Sequence, residues 1–358
     1  MGITAMYSQL SPNLSNTQIM TQPRIGFACK FSEITPKGLL ESVAELNTRS
    51  TTGAWLNRQS QHIAEERLCD IMKHNIESVK QLVAKVGSLE PHLRMVRLSS
   101  DLLPVYTEPS WSYFWRQPDI RAYCEKHFAQ VGVLARSLNV RLSFHPGQFC
   151  VLASDTGDVV ERSILEFEYH ADMTRWMGYG QKFQDFKINV HISGRKGPQG
   201  IRDVYGRLSP EARNCLTLEN EEYTHGLDDC LSLHDLVPTV LDIHHHWIRE
   251  GEYIDASSDR VKAVIDSWRG VRPTLHYSVS REDVLVGHCA NTLPDHPALL
   301  VSGHKKQKLR AHSDYYWNNA VNEWAATFSK DFDIMCESKA KNLASFKFAT
   351  EHCQRYLP

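Results

Sequence analysis

The sequence predicts a single (β/α)₈ barrel of the TIM type, and three observations carry that reading. Eight short apolar runs of strand length are spaced along the chain. Most are separated by stretches with helical spacing and charged faces. Eight such units fit into about 330 residues, where a barrel of this type takes roughly 250 plus insertions. The competing architecture, a doubly wound open sheet, is disfavoured because no glycine-rich phosphate fingerprint follows the first run.

Taken in order, the runs are RIGFACK (24–30), MVRLSS (95–100), VRLSFHPG (140–147), KINVHISG (187–194), LTLENE (216–221), TVLDIHH (239–245), PTLHYSVS (273–280) and DIMCESK (333–339). Helices are expected over 65–88, 119–139 and 158–177, where apolar residues recur at three- and four-residue intervals. Residues 1–23 are polar, rich in Ser, Asn and Thr, and without period, so they read as a mobile extension ahead of a barrel domain spanning 24–358. The longest departure between strands runs from Arg281 to about Ala311 and contains the densest basic stretch, GHKKQKLRAH (303–312).

The chain of 358 residues is 42% hydrophobic and 23% charged, enough to bury a large core. No apolar run approaches the roughly 20 residues of a membrane span, and no signal-peptide pattern opens the chain. The expected setting is therefore intracellular: nucleoid-associated cytoplasm in a bacterium, the nucleus in a eukaryote. Nine cysteines without a CxxC pair read as reduced, mostly buried thiols. A net charge of −2 means that any polyanion must be held by a local basic patch.

Eighteen histidines are the unusual count, and their placement is informative. Asp101 follows the second run, and His145 closes the apolar part of the third. His191 and Glu219 lie near the ends of the fourth and fifth, and Asp242 with His244–His246 ends the sixth. His276 lies in the seventh and Glu337 near the end of the eighth. In a barrel those carboxyl ends converge on one mouth. So many acids at one mouth would repel one another without cations, and carboxylates with imidazoles suit Mn²⁺, Zn²⁺ or Fe²⁺. Two or three ions are expected. In VLDIHHHWIREG an extended strand would align Asp242 with His244 and His246, whereas a strand broken after Asp242 would bring His245 round to it. Periodicity leaves both open.

The segments RIGFACK, VRLSSDLLP, LSFHPGQF, VHISG, LENEE, DIHHH, LHYS, RAH and CESKAK occur in the order found in the UV damage endonuclease family, which the chain resembles from about Arg24 to its end. The resemblance implies a metal-dependent barrel, related in architecture to the endonuclease IV class. Such an enzyme nicks damaged double-stranded DNA 5′ to cyclobutane dimers and 6-4 products, with abasic sites as a further substrate. By motif it implies metal ligands at His145, His191, Glu219, Asp242, His245, His276, His312 and Glu337, with Mn²⁺ first among the candidate ions. His244 and His246 are then left as packing or supporting residues. Gln148 and Phe149 fall on the positions that probe the lesion.

The chain departs from the family pattern at Thr274, where some members carry a carboxylated lysine, and at Asp101, where some carry histidine. Both bear on the geometry of the metal set. Glu219, bridging cations, and Glu337 are expected to be catalytic, and Lys305, Lys306, Lys308 and Arg310 to clasp backbone phosphates, with Lys339 among further phosphate candidates. The protein is expected to act as a monomer. No nucleotide cofactor and no membrane partner are expected. Two other readings compete: a small-molecule metalloenzyme on the same barrel, such as a sugar isomerase or multi-iron oxidase, and a non-catalytic sensor of DNA damage. The HPGQF string and the basic loop favour the nuclease over the first, and Thr274 is the feature that leaves room for the second.

Overall fold

All eight apolar runs become parallel strands of one barrel in a computed structural model that describes residues 22–356 other than 39. The extension expected over 1–23 thus falls almost wholly outside the described residues. The barrel strands are β1 (Ile25–Ala28), β4 (Met95–Arg97), β5 (Arg141–Phe144), β6 (Lys187–His191), β7 (Leu216–Glu219), β8 (Thr239–Val240), β9 (Thr274–Tyr277) and β10 (Asp333–Cys336). Between β1 and β4 a short antiparallel hairpin, β2 (Ser32–Ile34) and β3 (Leu40–Ser42), lies outside the barrel. The sequence reading did not anticipate it, because its segments SEI and LES are short and mostly exposed, with no apolar face to signal a strand.

The strand order is β8-β7-β6-β5-β4-β1-β10-β9, with every neighbouring pair parallel. The two end strands meet only through a single bridge, Asp242 with His276, where the His276 amide donates to the Leu241 carbonyl at 3.0 Å. Parallel crossovers cover both faces of the strands, and so β1, β7, β9 and β10 are buried along their whole length.

Helices fill the connections: α1 (Gly53–Leu56), α2 (Gln61–Gly87), α3 (Ser112–Trp115), α4 (Pro118–Ser137), α5 (Gly157–Trp176), α6 (Gly197–Tyr205), α7 (Pro210–Cys215), α8 (Leu227–Leu231), α9 (Ile243–Glu250), α10 (Asp259–Ser267), α11 (His296–Val301), α12 (Lys306–Leu309), α13 (Asn319–Ala326) and α14 (Lys341–Phe348). The three longest correspond to the three helical stretches read from spacing. In α2 the Ser60 hydroxyl caps the first turn, and Leu68, Met72, Ile76, Val79 and Val83 form the buried stripe. Pro118 opens α4 at a position where its missing N–H costs nothing. Trp111, Trp115 and Trp247 are all buried packing residues. No described helix is long and apolar enough to cross a membrane, and all nine cysteines are free thiols.

The departure between β9 and β10 carries α11 and α12. It is pinned to α9 by a small apolar cluster of Trp247, Ile248, Leu285 and Leu309, which places the basic stretch beside the barrel mouth. At the opposite end, Asp333 at the start of β10 binds Arg141 from β5 at 2.6 Å and Arg272 at 2.9 Å, tying the floor of the barrel across its width.

Candidate metal centre and barrel mouth

Glu219 ends β7 on the barrel axis and is 1% exposed. Its Oε2 lies 3.2 Å from His145 Nε2 and 3.0 Å from His276 Nδ1, and it accepts a short hydrogen bond from Asn189 Nδ2. Its Oε1 faces His245 Nδ1 at 3.5 Å and has no hydrogen-bond partner. Burial alone would push this carboxyl up, but His276, His191 and His145 outweigh it and hold it well below the usual carboxylate range. Asn189 is itself fixed by the Thr217 hydroxyl at 2.8 Å.

The run of three histidines is settled by where the strand stops. β8 ends at Val240, and Asp242 is the N-cap of α9, accepting from the amides of His244 and His245 at 2.8 and 2.7 Å. With helical rather than extended spacing, His245 turns back so that its Nδ1 lies 3.7 Å from Asp242 Oδ2. Asn220 clamps Asp242 in a reciprocal pair, accepting from its amide at 2.8 Å and donating to its carbonyl at 3.0 Å. Burial opposes charge on His245, but Asp242, Glu219, Glu222 and Glu337 prevail and push it up to about 9. Burial pushes Asp242 well above its usual range, with Glu219 and Glu337 adding to the rise. His244 stacks on Trp247, and His246 bonds Glu252 at 3.0 Å, so neither joins the set.

On the far side of the axis, His276 Nδ1 lies 3.3 Å from Glu337 Oε1, while its Nε2 meets Lys187 Nζ at 3.0 Å. Glu337 is paired with Arg97 from β4, and His312 Nδ1 stands 4.0 Å from its other oxygen. Burial pushes Lys187 down to about 7 and His276 down to about 4. Thr274 is buried at the start of β9 with its hydroxyl unpartnered.

Three groups of donor atoms each lie within 4.8 Å of one another: His145, Glu219 and His276; His191, Glu219 and His245; and Asp242, His276 and Glu337. Seven of the eight residues expected as ligands fall in these groups, and His312 borders them. Buried atoms without a partner, among them Glu219 Oε1, Asp242 Oδ2 and His276 Nδ1, point into the same space. Orphaned lone pairs of this kind are costly unless satisfied, and a mixed carboxylate and imidazole set suits a borderline divalent cation. The residues therefore fit a metal centre.

Asp101 lies apart, exposed and hydrogen-bonded by Ser50. Sequence reasoning missed Arg97, Lys187, Asn189, Asn220 and Glu222. Alternation held a signal for two of them, since Lys187, Asn189 and His191 share one face of β6.

Around the mouth, the tip of the β5 loop presents Gln148 and Phe149 to solvent, and Phe149 at 85% exposure is no core aromatic. A cavity of about 480 Å³ next to His245 and His312 is lined also by Glu222, Lys308 and Arg310. Lys305 is exposed, and Lys306 donates to the Arg249 carbonyl at 3.1 Å. Arg310 pairs with Glu222 and lies over the Tyr223 ring at 5.4 Å. Lys339 is exposed at 3.6 Å from Asp314.

A family model described as UV-endonuclease UvdE matches residues 23–356. Among characterised relatives, a UV DNA damage endonuclease of Bacillus thuringiensis subsp. konkukian (strain 97-27) is 24% identical over 315 residues, covering 85% of this chain and 88% of the relative. A UV-damage endonuclease of Schizosaccharomyces pombe (strain 972 / ATCC 24843) is 28% identical over 312 residues, covering 81% of this chain and 46% of the relative. The crystal structure of SacUVDE superposes with a TM-score of 0.68 at 22% identity, over 92% of this chain and 97% of that one, and has the same fold.

Proposed function

Because the chain belongs to the UV-endonuclease UvdE family, we propose that it incises double-stranded DNA at ultraviolet lesions, hydrolysing one phosphodiester on the 5′ side of the damage. Cyclobutane dimers and 6-4 products are the proposed lesions, with abasic sites a further substrate. Residues 24–358 form the working domain of this proposal. The observation that supports it best is Glu219, whose two oxygens are shared among His145, His245 and His276 at the centre of the mouth.

His145, His191, Glu219, Asp242, His245, His276, His312 and Glu337 would hold two or three divalent cations, Mn²⁺ first among them. Bound there, such ions supply Lewis acidity toward water and phosphate oxygens. The protein's own contribution is to fix protons and orientations. His145 Nδ1 donates to the Pro146 carbonyl at 3.0 Å, which fixes the ring with Nε2 toward Glu219. His245 Nδ1 likewise donates to the Asn220 carbonyl at 3.1 Å, and its Nε2, on the side of Glu222, would give up a proton to take a cation. Lys187 Nζ meets His276 Nε2 at 3.0 Å and so fixes the ring with Nδ1 toward Glu219 and Glu337. In this arrangement Lys187 orients the ring that Thr274, two residues away on β9, does not reach.

Recognition requires bases to leave the stack, which costs least where a photoproduct has already weakened it. Phe149 would fill the gap by stacking, and Gln148 would bond the bases left behind. Lys305, Lys306 and Arg310 would hold backbone phosphates, Arg310 by exchanging Glu222 for a phosphate oxygen.

The test is an incision assay on an end-labelled duplex bearing one cyclobutane dimer, with Mn²⁺, an undamaged duplex and a Glu219→Ala control. The expected product is a nick immediately 5′ to the dimer. Glu219→Ala is expected to reduce it by more than about a hundredfold, beyond the 10- to 100-fold typical of partners that only orient ligands. No nick by a preparation with bound metal would refute the proposal.

A further inference from the structure

The amino-terminal end of the barrel, remote from the mouth, holds a cavity of about 300 Å³ whose charge the chain does not balance. Five basic side chains line it, Arg24, Arg136, Arg141, Arg272 and Lys187, against two carboxylates, Asp185 and Asp333. Asp333 is already shared between Arg141 and Arg272. Asp185 is committed to backbone, accepting from the amides of Gly180, Gln181 and Lys182 at 2.7, 3.1 and 3.2 Å.

That leaves Arg24 and Arg136 without an ion pair among the described residues. Arg24 spends one side-chain bond on Asn139 Oδ1 at 2.8 Å. Arg136 donates Nη1 to the Met177 carbonyl at 2.9 Å, with a longer contact of 3.5 Å to that of Gly178, and lies over the Tyr179 ring at 4.8 Å. Burial pushes Arg24 below its usual range, Asp333 opposes that fall, and Arg141, Arg272 and Arg94 add to it. Gln22 also lines the cavity, and the sequence ahead of it, residues 1–21, contains no Asp or Glu. The rest of the lining is mixed: Gln184 is polar, while Tyr179 and Phe186 belong to an apolar side.

We propose that this basal cavity binds a small molecule carrying a phosphate monoester, its oxyanion held by Arg24 and Arg136 and its apolar body lying against Tyr179 and Phe186. Guanidinium groups match phosphate oxygens in geometry as well as charge, and an apolar cleft with a few convergent polar groups is the usual form of a small-molecule site. The inference does not rest on the reaction proposed at the mouth, although Lys187 lines this cavity and also meets His276.

Calorimetric titration of the full-length protein with inorganic phosphate, adenosine monophosphate and adenosine tests it. The expected result is one site for the monophosphate, weaker binding of inorganic phosphate and none of adenosine. Dissociation constants should rise at least about tenfold in Arg24→Gln and, separately, in Arg136→Gln. Binding should be unchanged in a Lys305→Ala/Lys306→Ala variant and after chelation of metal, which excludes the mouth as the source. The melting temperature of each ligand-free variant identifies any that fails to fold, and the other then carries the comparison. Absence of binding by both phosphates, insensitivity to both arginine substitutions, or loss on chelation would each overturn the assignment.

Discussion

Asp242 does two jobs with one carboxylate, and its oxygens divide them. Oδ1 caps α9, while Oδ2, without a hydrogen-bond partner, belongs to the set proposed to hold metal. Asp242→Asn keeps a capping oxygen and removes the charge. In the presence of a chelator it should unfold close to wild type, whereas Asp242→Ala should lose about 1 kcal/mol more, measured by denaturant titration. Both should bind Mn²⁺ at least about tenfold more weakly. A second residue-scale prediction concerns His170, fully buried behind β5, where Nδ1 donates to the Glu166 carbonyl at 2.8 Å and Nε2 has no partner. Burial pushes this ring down to about 4 from an ordinary 6.5. The folded protein therefore resists protonation that the unfolded chain accepts, so stability is full above about pH 6.5 and falls as the pH drops from there to about 4. The linkage amounts to roughly 2 kcal/mol lost between pH 8 and pH 5. A His170→Phe variant should show a pH dependence shallower by that amount; an identical slope would exclude His170 as a source.

At the scale of elements, α4 and α5 touch so closely at one point that a side chain does not fit. A Cβ at Gly132 would stand 1.8 Å from the Met177 carbonyl oxygen, and backbone cannot yield there as a side-chain tip would. Gly132→Ala should therefore cost about 1–3 kcal/mol by denaturant unfolding, although alanine is the better helix former. The elements also show what a sequence makes legible. Strands buried on both faces write continuous apolar runs, and the mouth-facing acids and histidines write themselves at the ends of those runs, so the barrel and the clustering of most of these side chains at its mouth were readable. The hairpin β2–β3 was not, because it buries almost nothing. The early end of β8 was left open for a related reason, since Asp242 is equally a strand residue and a helix cap until the chain's path is known. Lys187 and Arg97 escaped notice because neither is a metal-binding type, and only folding sets Lys187 against His276, 89 positions later, and Arg97 against Glu337, 240 positions later.

For the molecule as a whole, a net charge of −2 must coexist with binding to a polyanion. If Lys305 and Lys306 each neutralise one phosphate, replacing both with alanine should flatten the slope of log K against log salt by about 1.8 and weaken binding to damaged and undamaged duplex alike. Phe149→Ala should instead leave that slope unchanged and cut the preference for damage, by about 1–3 kcal/mol in relative affinity if stacking is its role. The barrel itself has one weak joint. Where β8 meets β9 the ring of staves is fastened by a single bridge, and the two residues of that bridge, Asp242 and His276, are also the ones that would share a cation with Glu337. Hoop closure and ion loading are then one linked equilibrium, in which each must favour the other by the same factor. Filling the centre should slow hydrogen exchange at the His276 amide more than at any amide of β5, and an ion that seats poorly should betray itself first as a barrel that breathes at this joint.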